Sequence, residues 1–103
     1  MNYAAMISAL LEGQTIERIK VFGNSMTPII ESGQSLKIEP VGNRSLKKGD
    51  IVFCKVRGNY YIHKITAIEG DRCQISNNHG HINGWTTKNK IYGMVTGIYD
   101  QAK

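Results

Sequence analysis

The sequence predicts a mostly β protein, a small bent antiparallel sheet or partly open barrel with one short N-terminal helix. Three features carry that expectation. From residue 15 onward, apolar and polar residues alternate in short runs, the period of half-buried strands. Pairs of Gly, Asn and Asp punctuate those runs where tight reversals belong. Only the stretch before Gly13 is built from strong helix formers.

In chain order, "YAAMISALL" sets Ala5, Ile7, Ala9 and Leu11 in a helix over about residues 3–12, and Gly13 supplies its left-handed end. A β region then covers about residues 15–99. "TIERIKVF", Thr15 to Phe22, is its first strand and runs directly into "GNSMTPII", residues 23–30, where Gly23 and Pro28 stop a strand from continuing. "SLKIEP" alternates Leu36 and Ile38 with Lys37 and Glu39. "KKGD" turns the chain into "DIVFCKVR". Gly58-Asn59 joins that run to "YYIHKITAI" as a hairpin, and Gly70-Asp71 reverses again into "RCQIS". "NNHGHINGW" reads as loop for much of its length, and "KIYGMVTGIY" closes the region as a last strand. No repeat, linker or low-complexity tract interrupts the chain, so residues 1–103 are expected to form one domain.

Composition narrows the function classes. At 41% hydrophobic and 20% charged residues the chain is an ordinary globular one. The formal charge of +5 invites an acidic partner, but the basic residues are scattered, with Lys47-Lys48 the one adjacent pair. Nucleic acid is therefore not the expected partner, and a solvated basic surface is the simpler reading. No apolar run is long enough to span a bilayer, so no membrane anchor and a cytoplasmic location are expected. Cys54 and Cys73 lack CxxC spacing and read as free packing thiols of a reducing compartment. His79 and His81, two imidazoles among asparagines, read as a polar loop, and Trp85 as a cap on the core. Neither a metal nor a cofactor is implied.

The residues with chemistry to offer begin at Ser25, in "GNSMTP". That hexapeptide resembles the nucleophile box Gly-x-Ser-Met-x-Pro of the superfamily joining signal peptidases to the self-cleaving peptidase domains of SOS and phage repressors. In the same order, "ESGQSLKI", "LKKGDIVFCKV", "YYIHKITAI" and "KIYGMVTGI" are similar to its successive strands, so the resemblance covers roughly residues 18–99. It implies a serine nucleophile at Ser25. At the position of the general-base lysine this chain has His63, with Lys64 where an arginine usually follows, which resembles the Ser-His branch of endoplasmic-reticulum-type signal peptidases.

The chemistry is coherent by itself. A serine hydroxyl needs a base to take its proton, and imidazole, with a reference pKa of about 6.5, is largely neutral near pH 7. A turn formed by Gly23, Asn24 and Met26 would bring backbone N-H groups beside Ser25, as an oxyanion site requires. Where the superfamily supplies an acidic or serine residue after the base strand, this chain has "SNNHGHINGW" with no Asp or Glu. Asn77, Asn78 or Asn83 is then left to orient the imidazole. The expected function is a stand-alone serine peptidase acting on an extended peptide bound beside a sheet edge. The alternative is a catalytically idle member of the fold that binds and regulates or inhibits another protein.

Overall fold

Among residues 1–100, which the computed structural model describes, the chain forms helix α1 (Tyr3–Leu11) and strands β1 (Ile16–Lys20), β2 (Ser35–Pro40), β3 (Ile51–Val56), β4 (Asn59–Glu69), β5 (Arg72–Ser76), β6 (Ile82–Thr87) and β7 (Ile91–Tyr99). The last three residues of the expected 1–103 domain lie outside the described residues. All strands join one antiparallel sheet in the order β1-β2-β7-β3-β4-β5-β6, which is not closed into a barrel. The fold class predicted from the sequence is the one observed.

Helix α1 is capped by Asn2, whose Oδ1 accepts the Ala5 N-H at 3.0 Å. It buries Met6 and Leu10, one turn apart, and leaves Leu11 72% exposed. The helix forms as expected, but Ala5, Ile7, Ala9 and Leu11 do not mark its buried side. Those residues recur at every second position, a strand period, and cannot share one side of a helix.

The sheet bends because its ladders carry irregularities, between Lys37 and Ile38 of β2 and between Ile65 and Ala67 of β4 among others. It curls far enough for β6, three strands from β3 in the sheet order, to reach back, and Thr86 Oγ1 donates to the Lys55 carbonyl at 2.7 Å. Strand β3 is consequently covered on both faces. Phe53 packs with Met6, Leu10, Met26, Ile30, Leu36 and Ile38 on one side. Val52, Cys54 and Val56 pack with Ile65, Cys73, Ile75 and Ile91 on the other. This double burial explains why β3 is almost uniformly apolar.

Two local expectations shift. The β3-β4 reversal is centred on Arg57-Gly58, with φ of +50° and +84°, and Val56 pairs with Asn59. Positive φ at both central residues is the signature of the hairpin turn that follows strand twist, and Asn59 has already entered β4. Residues 77–81 are loop as expected, but Ile82 to Trp85 belong to β6, where ladder pairing to β5 overrides the turn propensity of Asn83-Gly84. Trp85 is half-buried, with the Arg72 guanidinium 5.6 Å from its ring centre.

Cys54 and Cys73 are buried free thiols, and burial pushes Cys54 up to about 12 and raises Cys73 in the same direction. Both thiols should therefore resist alkylation until the protein unfolds, and reductant should leave the thermal midpoint unchanged. Mass spectrometry after iodoacetamide treatment, with and without denaturant, checks the first. A melting curve checks the second.

At Gly93 of β7 the sheet leaves no room for a side chain between β2 and helix α1. A methyl group there would meet Ile38 Cγ2 at 2.7 Å, the Glu39 carbonyl oxygen at 2.9 Å and Leu10 Cδ1 at 3.0 Å. The Glu39 backbone cannot step aside without moving β2. Gly93→Ala should cost about 1 to 3 kcal/mol by overpacking, read as a lower urea midpoint.

Candidate active site

Ser25 lies in the segment between β1 and β2, at a bend that the local sequence enforces. Gly23 has φ +108°, a conformation that residues with a side chain rarely adopt, and its N-H donates to Ser32 Oγ at 3.0 Å. Past the bend the chain tightens into a single turn in which Ile30 N-H donates to the Met26 carbonyl at 2.9 Å, burying Met26 and Ile30 together. Ile29 is 44% exposed, because a turn spaced by four residues carries Ile30, and not Ile29, to the Met26 side. The turn is anchored from below, and Ser25 is left exposed at its crest.

His63 comes from β4, on the face that also buries Ile65. It is 8% exposed, and the Tyr61 ring packs against it with centroids 4.9 Å apart. Its two nitrogens face different partners. Nε2 is 3.0 Å from Ser25 Oγ, and Nδ1 is 2.7 Å from Asn83 Oδ1. An amide oxygen only accepts, so Nδ1 carries the hydrogen and Nε2 presents its lone pair to the serine hydroxyl. Burial, the largest influence, holds His63 below the ordinary histidine value and nearby His81 adds to this, while the Asn83 hydrogen bond acts in the opposite sense. The ring is therefore neutral at pH 7 and equipped to accept a proton.

Asn83 reaches that position through a bulge. Ile75 pairs with Gly84, yet Ser76 pairs with Ile82, so Asn83 is the extra residue of β6 and its side chain is re-aimed. Of the three asparagines open in the sequence, Asn83 is the one at the imidazole. Asn77 Oδ1 instead accepts the N-H groups of His79 and His81 at 2.8 and 3.0 Å, and Asn78 turns toward the serine segment. No spacing rule finds a bulged residue, which is why the sequence left the three equivalent.

A cleft of about 150 Å³ opens beside Ser25 and His63, walled by Val21, Met26, Ile30 and Tyr60 among others. Apolar side chains share its lining with Tyr3, Tyr60 and Tyr61, the Ser25 hydroxyl and the His63 imidazole, a mixed surface suited to a side chain of an extended peptide. Among the described residues, no group of three or more His, Cys, Asp or Glu side chains is placed to hold a metal ion, and no helix is long and apolar enough to cross a membrane.

The contacts that sequence reasoning missed are those the 77–81 loop makes with the serine segment and with β4. Asn78 N-H donates to the Ser25 carbonyl at 2.8 Å, and His79 Nε2 lies 2.9 Å from the Asn24 carbonyl. Lys64 Nζ donates to Asn78 Oδ1 at 3.0 Å. The density of hydrogen-bonding side chains in "NNHGH" was the available signal. Comparison with known proteins adds one finding: a Peptidase S24-like family model matches residues 3–96, nearly the whole chain. No curated protein matches.

Proposed function

The chain belongs to the Peptidase S24-like family, and within it we propose that this protein is a serine peptidase of the Ser-His kind, with Ser25 as nucleophile, His63 as general base and Asn83 as the residue that orients the base. The observation that supports this most directly is the continuous hydrogen-bonded chain Ser25 Oγ, His63 Nε2, His63 Nδ1, Asn83 Oδ1. In the reaction, Ser25 Oγ bonds to the carbonyl carbon of an extended peptide as its proton passes to His63 Nε2. The imidazolium then donates that proton to the leaving amine as the C-N bond breaks, and water, deprotonated by the same ring, releases the acyl group.

The oxyanion of each tetrahedral intermediate needs N-H donors at the turn. Gly23 N-H is engaged by Ser32 Oγ and Thr27 N-H by the Asn24 carbonyl. The donors are therefore drawn from the amides between them, those of Asn24, Ser25 and Met26. Residues 1–103 act as one unit in this scheme, in a reducing, cytoplasm-like setting that suits two free thiols.

The amide at Asn83 favours one second reading. A neutral partner stabilises imidazolium less than a carboxylate does, which suits a peptide-binding regulator with little turnover. A fluorophosphonate probe separates the two without a known substrate: Ser25 Oγ bonds to phosphorus, fluoride leaves and His63 takes the proton. Labelling of Ser25 in the native protein, absent in Ser25→Ala and after denaturation, is the expected result. No label anywhere in the neutral to mildly alkaline range would move the assignment to the binder.

A further inference from the structure

The nucleophile turn and the base come from different parts of the sheet, and the β5-β6 hairpin touches both. Its strand β6 supplies Asn83 to His63 Nδ1. Its loop holds the turn carbonyls on either side of the nucleophile. Asn78 N-H donates to the Ser25 carbonyl at 2.8 Å and Asn78 Nδ2 to the Thr27 carbonyl at 2.9 Å. His79 Nε2 lies 2.9 Å from the Asn24 carbonyl and 3.0 Å from Thr27 Oγ1. A carbonyl only accepts, so that nitrogen carries the hydrogen. Thr27 Oγ1 donates its own hydrogen to the Asn24 carbonyl at 2.9 Å. The loop is itself braced, by Asn77 Oδ1 accepting two of its N-H groups and by Lys64 Nζ, one residue from the base, on Asn78 Oδ1.

We infer that Asn78 and His79 are positioning residues that set the attack geometry of Ser25, so that one hairpin aligns both members of the dyad. The inference rests on the peptidase reading for its kinetic consequence and on the hydrogen bonds for its structural one. Met26 and Ile30 fix the depth of the turn through apolar burial, which is non-directional and leaves its orientation open. Hydrogen bonds to carbonyls 24, 25 and 27 supply direction. Without them the hydroxyl would wander relative to Nε2, and misplacement on the scale of 1 Å costs about a hundredfold in rate.

The experiment uses the full chain and two readouts: the rate of Ser25 labelling by a fluorophosphonate across pH, and amide hydrogen exchange of the peptide spanning residues 24–28. Asn78→Ala and His79→Leu should each lower the plateau labelling rate by about ten- to a hundredfold. The pH midpoint should stay in place, because His63 and Asn83 are untouched, and exchange should quicken in 24–28 while the β3 and β4 peptides keep their protection. His79→Gln, which retains a side-chain N-H donor, should recover most of the rate. His79 is exposed, so its variants should fold even if Asn78→Ala does not. Unchanged labelling and exchange in the His79→Leu protein would overturn the inference, as would a rate loss accompanied by a shifted pH midpoint. If the wild-type protein takes no label, the peptidase reading fails separately. The exchange data alone then decide the clamp: quickened exchange confined to 24–28 upholds it, and unchanged exchange overturns it.

Discussion

His63→Ala is expected to lower peptide hydrolysis or fluorophosphonate labelling by about 10² to 10⁴ fold, the range that a positioned general base contributes. Ser25→Ala should reduce it to background, and the double variant should be no worse than Ser25→Ala, since residues acting as one unit are not additive. Circular dichroism should show the fold intact in each, because Ser25 is exposed and the His63→Ala site opens toward the cleft. The wild-type rate should be full at neutral pH and fall only in acid, below the ordinary imidazole titration, since burial holds His63 below its usual value. Activity persisting undiminished in His63→Ala would end the dyad assignment. The same depression has a stability consequence of fixed sign. Below about pH 6.5 the unfolded chain binds a proton that the folded chain still refuses, so stability falls from there down to the lower folded titration and then levels.

Asn83→Asp is expected to have the opposite character. A carboxylate at the place of an oxygen now 2.7 Å from Nδ1 would favour imidazolium and move the acid limb upward by about one to three pH units. Above that limb the rate should rise, because the charge that develops on His63 in the transition state gains a counter-charge it now lacks. Asn83→Ala should lower the rate without that shift toward higher pH, as Nδ1-H loses its acceptor and the tautomer is no longer held. A pH-rate profile of the three proteins checks both. A rate that falls in Asn83→Asp at every pH would show that the amide is fitted to some task other than orienting a base.

The line between what was legible in the sequence and what was not runs through particular residues. Strands such as β2 and β5 were legible because alternation of period two follows from the pleat, and β3 was legible as a short apolar run bounded by turn signals. β6 was not, because a bulge at Asn83 breaks its alternation and a Gly follows. The helix was legible as a helix but not by its buried face, since Met6 and Leu10 win their place by meeting Phe53 and Gly93, partners distant in sequence. Similarly, Arg57-Gly58 displaced Gly58-Asn59 as the reversal because cross-strand pairing, not dipeptide preference, decides register.

Residue types in order determined that this chain is a bent antiparallel sheet with Ser25 at a forced bend and His63 on a strand, since propensity, pattern and turn chemistry are local properties written along the chain. Tertiary structure alone decided the rest. It selected Asn83 from three asparagines, aimed the Nε2 lone pair at the hydroxyl, and set Asn78 and His79 on the carbonyls beside Ser25. Those choices depend on distances of about 3 Å between atoms 20 to 55 residues apart in the chain. Hydrogen bonds weaken steeply with small displacements, so only the folded curvature of the sheet, and not any spacing in the sequence, could bring them within reach.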